Sequence, residues 1–268
     1  MPRSVRLAPA PALAPFVAHL GWYASELPPG RETTVPTGTA QLIVNLDHDE
    51  LRWYAGGRTH RRPGAGFCPP TPAAVEIDRA EQRETICVVF RPGGAYPFMG
   101  PIDALDEPVV ALDELWGQTS VRDRLLAAPT PQAALQLLQV ELAARAALPL
   151  DPDPGIRAAA AALHRGAAIG DVSDRLGVTT GTLRRRFAAQ VGLSPKRFSR
   201  IRRLQRLISS AAGGDWARAA VEVGYFDQAH MVNDFRALTG LTPSAYRPRE
   251  RNHVPVIGPP ATPRSGRR

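Results

Sequence analysis

The chain contains two cysteines, Cys68 and Cys87, and a single lysine, Lys196, among 268 residues. Two thiols outside any C-x-x-C pair make no disulfide framework, so a reducing cytoplasm is the expected localisation. No run approaches the ~20 consecutive apolar residues that span a bilayer, so no membrane partner is expected. Met1–Ala10 holds two arginines with no apolar stretch behind them, so no secretory signal is expected. Signatures of catalysis are also missing. His19, His48 and His60 are scattered without metal-ligand spacing. No Gly-rich phosphate loop and no nucleophile–base arrangement stand out, and Gly93-Gly94 reads as a turn. Cys87, inside TICVVF, reads as a small buried hydrophobe, and Cys68, in GFCPP, as an unreactive loop thiol. The expectation is a protein that binds rather than catalyses, with no cofactor and no metal.

What is present is arginine, unevenly placed. Residues 1–155 hold 13 basic against 18 acidic side chains, residues 156–251 hold 17 against 7, and the last 17 residues add three arginines. The net charge of +8 therefore belongs to the second half, which points to a polyanionic partner for that half. The near-absence of lysine reflects a compositional bias toward arginine. That bias explains the choice of base but not the asymmetry between halves.

The length suits two domains. Leu148–Gly155, reading LPLDPDPG, cannot continue a helix and marks a linker over 149–155. The expected domains are 1–148, β-rich with trailing helices, and 156–250, all helical, followed by a disordered basic tail over 251–268. The fold class is α+β. Strands are expected at 40–46, 51–55, 73–77 and 85–90, a short helix at 13–20, and helices at 120–128 and 130–147, the last with Thr130 as N-cap and Pro131 in its first turn.

The second half repeats itself. Ile169, Val172, Ser173, Leu176 and Gly177 recur 47 residues later as Trp216, Ala219, Ala220, Val223 and Gly224. One extra residue in the second turn then makes the offset 48, matching Leu183, Phe187, Gly192, Leu193 and Pro195 to Met231, Phe235, Gly240, Leu241 and Pro243. Each unit reads as a short helix with one buried stripe, a glycine turn, and a second helix capped by Thr179 or Asp227. That is the helix-turn-helix design. Between the units, Pro195–Ala212 reads as one amphipathic helix burying Phe198, Ile201, Leu204 and Ile208. Such a spacer would let two reading helices enter successive major grooves, ~34 Å apart.

Residues 156–250 resemble the DNA-binding domain of the AraC/XylS family, most specifically through GYFDQAHMVNDFRALTGLTPSAYR, Gly224–Arg247. The resemblance implies a bacterial transcription regulator that binds double-stranded DNA in the major groove beside a sensing or dimerising domain, with RNA polymerase as a further partner. More loosely, RPGGA (Arg91–Ala95) and LDELWG (Leu112–Gly117) resemble an uncharacterised domain found ahead of this module.

The outward positions of the first unit's reading helix are Thr180, Gly181, Arg184 and Arg185, and those of the second are Gln228, Ala229, His230 and Asn233. The family's base-contacting positions fall on Gly181, Arg184 and Arg185. Gly181 departs from the larger side chain common there, and Asn233 from a frequent arginine. Arginine pairs with guanine O6 and N7, while Gln and Asn suit adenine. Arg186, Arg197, Arg200, Arg202, Arg203, Arg218, Arg236 and Arg247 are the candidates for phosphate. An exposed helical arginine is ordinarily just solvated, and only the repeat geometry singles out Arg184 and Arg185.

For the first half two readings stand: a sensor holding a small-molecule effector in a β-rich cavity, or a dimerisation or polymerase-contacting module, with Thr130–Ala147 packing on its own domain or on a second copy in a homodimer. From another class, a cupin-like metalloenzyme or an alkyl-accepting repair protein fused to a DNA-binding module would combine the same second half with chemistry in the first.

Overall fold

The computed structural model describes residues 3–26, 28–146, 153–211, 214–246, 248–251 and 254–257. In chain order the strands are β1 (Arg3–Leu7), β2 (Val17–Ala24), β3 (Arg31–Thr34), β4 (Gln41–Asn45), β5 (Glu50–Ala55), β6 (Arg58–Pro63), β7 (Ala65–Cys68), β8 (Val75–Asp78), β9 (Glu84–Phe90) and β10 (Val110–Ala111), with β11 (Pro248–Arg251) and β12 (Val254–Ile257) far downstream. They form two six-stranded sheets, ordered β1-β2-β9-β4-β7-β10 and β11-β12-β3-β8-β5-β6. Helices α1 (Tyr96–Met99), α2 (Leu112–Trp116), α3 (Val121–Leu126) and α4 (Pro131–Ala144) complete the β-rich half.

Period-two alternation decides which side chains meet. Ile86, Val88 and Phe90 of β9 and Leu42 and Val44 of β4 share a core with Val121 and Leu125 of α3 and Leu135, Leu138 and Leu142 of α4. The intervening Cys87 and Val89 join Tyr23 instead. Ile43 packs with Cys68, Leu51 and Trp53, the last two from the second sheet. Both faces of β9 are covered, which is why TICVVF is a continuous apolar run. Thr130 caps α4, accepting from the Ala133 amide at 3.1 Å, and the α4 leucines are buried within their own domain.

The expected helix over 13–20 does not form. The chain makes successive turns that close with the Val17 amide donating to the Leu13 carbonyl at 2.9 Å, and from Val17 it enters β2, which is paired on both sides, with β1 and β9. Strands β1, β3 and β6 were not expected, because RSVRL, RETT and RTHRRP are too polar to show alternation. β1 and β6 are edge strands, where charge is tolerated and discourages further pairing. The stretch expected as a disordered tail also differs. β11 and β12 form a hairpin, and Val256 and Ile257 of β12 pair with Thr34 and Thr33 of β3, satisfying an otherwise open edge. Residues 258–268 lie outside the described residues.

The helical half comprises α5 (Pro154–His164), α6 (Ile169–Arg175), α7 (Thr180–Val191), α8 (Pro195–Ser210), α9 (Trp216–Glu222) and α10 (Gln228–Thr239). Asp153, from the expected linker, caps α5 by accepting from the Ile156 amide at 3.1 Å. The two halves pack together. Val35, just after β3, is buried in the core of the helical half. Gly192 ends α7 with φ of 81°, and a Cβ there would stand 2.6 Å from Ile102 and 3.2 Å from Pro70 of the first half. Among the described residues no helix is long and apolar enough to cross a membrane.

Candidate nucleic-acid interface

Each helical unit is built as its sequence dictates. In the first, α6 ends before Gly177 at φ of 63°, and Thr179 caps α7 by accepting from the Thr182 amide at 3.1 Å. In the second, α9 ends before Gly224 at φ of 85°, and Asp227 caps α10 by accepting from the His230 amide at 2.6 Å. A left-handed residue at both turns lets the chain reverse sharply, and glycine adopts it without strain. Inward positions are filled by Leu183 and Phe187 in α7 and by Met231 and Phe235 in α10, all buried. Phe187 meets Phe198 of α8 edge to face at 5.3 Å, and Phe235 packs against Trp216 and Tyr246, each at 5.4 Å.

The outward positions are open. Thr180, Gly181, Arg184 and Arg185 on α7 are exposed, as are Gln228, Ala229, His230 and Asn233 on α10. A Cβ at Gly181 would meet nothing closer than 3.8 Å, so a larger side chain would fit there. The His230 ring stands edge-on to Tyr225 at 5.3 Å.

The eight arginines singled out for phosphate divide sharply. Arg197 and Arg236 are exposed, and Arg218 is exposed beside Glu222 at 3.6 Å. Arg186 pairs with Asp153 at 2.7 Å, and Gln190 donates to the same carboxylate at 2.9 Å. Burial pushes the Asp153 carboxyl up, but the Ile156 amide, Gln190 and Arg186 together hold it below its ordinary value. Arg202 faces the first half, donating to the Thr37 carbonyl at 2.9 Å and to His164 Nδ1 at 3.0 Å. Arg200 and Arg203 converge on Asp234, as described below. Arg247 lies outside the described residues.

Asp234 carries a role the sequence did not advertise. Its carboxylate is buried on the inner face of α10 and pairs with Arg200 and with Arg203, the latter at 3.2 Å. It also accepts from the Tyr225 hydroxyl at 3.1 Å, while the Arg203 guanidinium lies 4.4 Å from the Tyr225 ring centre. Burial, and then the neighbouring Asp234 charge, push the Tyr225 hydroxyl pKa up, so it stays a donor. The network bolts the second unit's turn and α10 to α8. The only available signal was an acid, Asp234, directly beside the inward Phe235.

His164 ties α5 to α8. Its Nδ1 accepts from Arg202, so that nitrogen must carry no proton. Burial, then the charges of Arg202, Arg206 and Arg165, lower its pKa below 6.5. The unfolded chain therefore takes up this proton first. The stabilisation is complete above the unfolded value and lost as pH falls from there through the lowered folded one. Thermal melts between about pH 7.5 and about pH 5.5 should show stability falling on acidification, with His164→Gln flattening that part of the profile.

Elsewhere the chemistry is sparse. Burial pushes the Cys68 thiol up to about 12 and the Cys87 thiol higher still, so neither is a ready nucleophile at neutral pH. Among the described residues no three His, Cys, Asp or Glu side chains converge as a metal site.

Residues 172–249 match a family described as a helix-turn-helix domain, and residues 5–107 match a domain of unknown function, DUF6597. No curated protein matches the chain in sequence. Among solved structures, ToxT from Vibrio cholerae O395 is 8% identical, with a TM-score of 0.44 over 91% of this chain and 95% of that one. The apo form of a ToxT point variant from Vibrio cholerae strain SCE256 is 11% identical, with a TM-score of 0.43 over 84% of this chain and 94% of that one. Wild-type ToxT from the same strain with an unsaturated fatty acid bound is 10% identical, with a TM-score of 0.38 over 91% and 93%.

Proposed function

We propose that this chain is an AraC-type DNA-binding regulator, that α7 and α10 enter successive major grooves and read bases, and that the first half senses a small-molecule effector. The observation that carries the reading is the duplicated unit itself: two capped helices whose inward faces are buried and whose outward faces are open. Arg184 and Arg185, exposed on the first, suit guanine, and Gln228 and Asn233, exposed on the second, suit adenine. Thr180, Gly181, Ala229 and His230 border the same base edges. Arg197 and Arg236 are the phosphate contacts that need no rearrangement. Arg186, Arg200, Arg202, Arg203 and Arg218 would serve only by sharing or leaving their present partners. Bound at a promoter, the protein would act on RNA polymerase.

For the first half, an apolar cavity between the two sheets favours the sensor over the dimerisation module. The α4 stripe that a partner copy would have used is spent on its own domain.

Selection of bound sequences from a random duplex pool tests the reading. The wild-type chain should enrich two blocks about one turn, ~34 Å, apart. Arg184→Ala should relax one block and Gln228→Ala the other, each by about 1–3 kcal/mol of base discrimination. Enrichment of no motif, with binding that depends only on salt, would sink it.

A further inference from the structure

The space between the two sheets is an underfilled core. Leu51, Trp53 and Val109 are buried there, but Ile43, Ile77 and Cys68 are only partly covered and line a cavity of about 130 Å³. That is close to the ~150 Å³ of an apolar cavity that takes up benzene, so it has room for a ligand built on one small aromatic ring system. Its charge preference follows from the lining. Arg52 is the one charged lining side chain among the described residues, and its guanidinium is already held by Glu50 at 2.7 Å and Glu81 at 3.2 Å. No cation is left over for a carboxylate. The polar lining atoms are neutral: threonine hydroxyls, the amides of Gln41 and Gln82, and the Cys68 thiol.

One wall of the cavity has a second face. Thr34, Val35, Pro36, Thr37 and Thr39 line it, and the same segment docks the helical half. Val35 is 2% exposed and belongs to the helical core. The Pro36 carbonyl accepts from Gln205 Nε2 at 2.5 Å and the Thr37 carbonyl from Arg202 at 2.9 Å, both on α8. Gly38, at φ of 75°, has its Cβ position 3.4 Å from both Arg202 and Ile201. The segment is therefore clamped between the cavity and the spacer that sets the two reading helices apart.

We propose that this cavity binds a compact, neutral, largely apolar ligand of monocyclic-phenol or indole size, and that residues 34–39 transmit its presence to α8. The transmission rests on the regulator reading above; the ligand class does not. A ligand that fills the cavity holds the segment in one conformation and so biases the position of α8.

Indole and 4-ethylphenol, with indole-3-carboxylate and 4-ethylbenzoate as charged counterparts, are the probes. Thermal melts of the free protein should show stabilisation by the neutral pair only. Stabilisation by none, or equally by the carboxylates, overturns the ligand class. Ile77→Phe, which fills the cavity, should lose this stabilisation, and a variant still stabilised by the neutral pair overturns the cavity as their site. For transmission, indole should change the affinity for the selected duplex about fivefold or more. Gln205→Ala, and independently the strained Gly38→Ala, should keep probe binding within about twofold and lose that change. A response that survives in both variants overturns the conduit. A protein that is stabilised by indole but selects no DNA motif keeps the cavity and loses the regulator reading, so the two failures are distinguishable.

Discussion

Replacing Arg200 and Arg203 together with alanine should destabilise the helical half by about 3–5 kcal/mol, because it strands a buried carboxylate. Asp234 has a side-chain exposure of 6%, whereas its partners Arg200 and Arg203 are at 41% and 26%. The pair is thus lopsided. Without the arginines, the Asp234 charge has no route to water. Without the carboxylate, the arginines can turn outward, and the main loss is the Tyr225 hydroxyl's acceptor, at roughly 1–3 kcal/mol. Asp234→Ala should therefore cost less than the double arginine variant, about 2–3 kcal/mol. It should also loosen the second unit on α8, so that specific DNA affinity falls while salt-dependent, non-specific affinity rises with the two freed cations. Urea unfolding of both variants and duplex titrations at two salt concentrations check the order. A double variant as stable as the wild type would remove Asp234 from its clamping role.

Phe235→Ala should cost about 3–5 kcal/mol and silence one DNA block selectively. Phe235 is fully buried at the centre of an aromatic triad, 5.4 Å from Trp216 and 5.4 Å from Tyr246, with those two rings 5.9 Å apart. Three edge-to-face contacts, each ~0.5–1.5 kcal/mol beyond burial, hold α9, α10 and the closing turn together. Alanine leaves a ring-sized void among rigid rings that cannot collapse into it. Leucine fills most of the volume and should cost roughly 1–2 kcal/mol. Phe187→Ala is the counterpart in the first unit, where Phe187 leans on Phe198. In sequence selection, Phe235→Ala should lose the block read by α10 and Phe187→Ala the block read by α7. Loss of both blocks from either single variant would mean that the units fold and read as one.

The duplicated units were legible because helix signals are local. Apolar spacing at Leu183/Phe187 and Met231/Phe235, the caps Thr179 and Asp227, and the turn glycines Gly177 and Gly224 all lie within a few residues of what they organise. The same locality made Thr130 readable as the cap of α4 and TICVVF as a strand. The failures share the opposite property. Val17–Ala24 became a strand because β1 and β9 flank it, and RETT became one because β8 and β12 do. A backbone ladder accepts almost any side chain, so polar strands leave no trace in the pattern.

The position of the helical repeat, the faces of it that turn inward and the half that carries the positive charge could all be read from the residues alone. What each arginine does with that charge depends on the packed fold, which also sets its neighbours. Arg184 and Arg185 remain on an open face, Arg200 and Arg203 close on Asp234, and Arg202 reaches a carbonyl 165 residues away. The same packing makes residues 34–39 both wall a cavity and hold α8. The physical reason is range: helix periodicity and capping act over one or two turns of chain, whereas ion pairing, cavity walls and domain docking depend on which distant segments the packed core brings within a few ångströms.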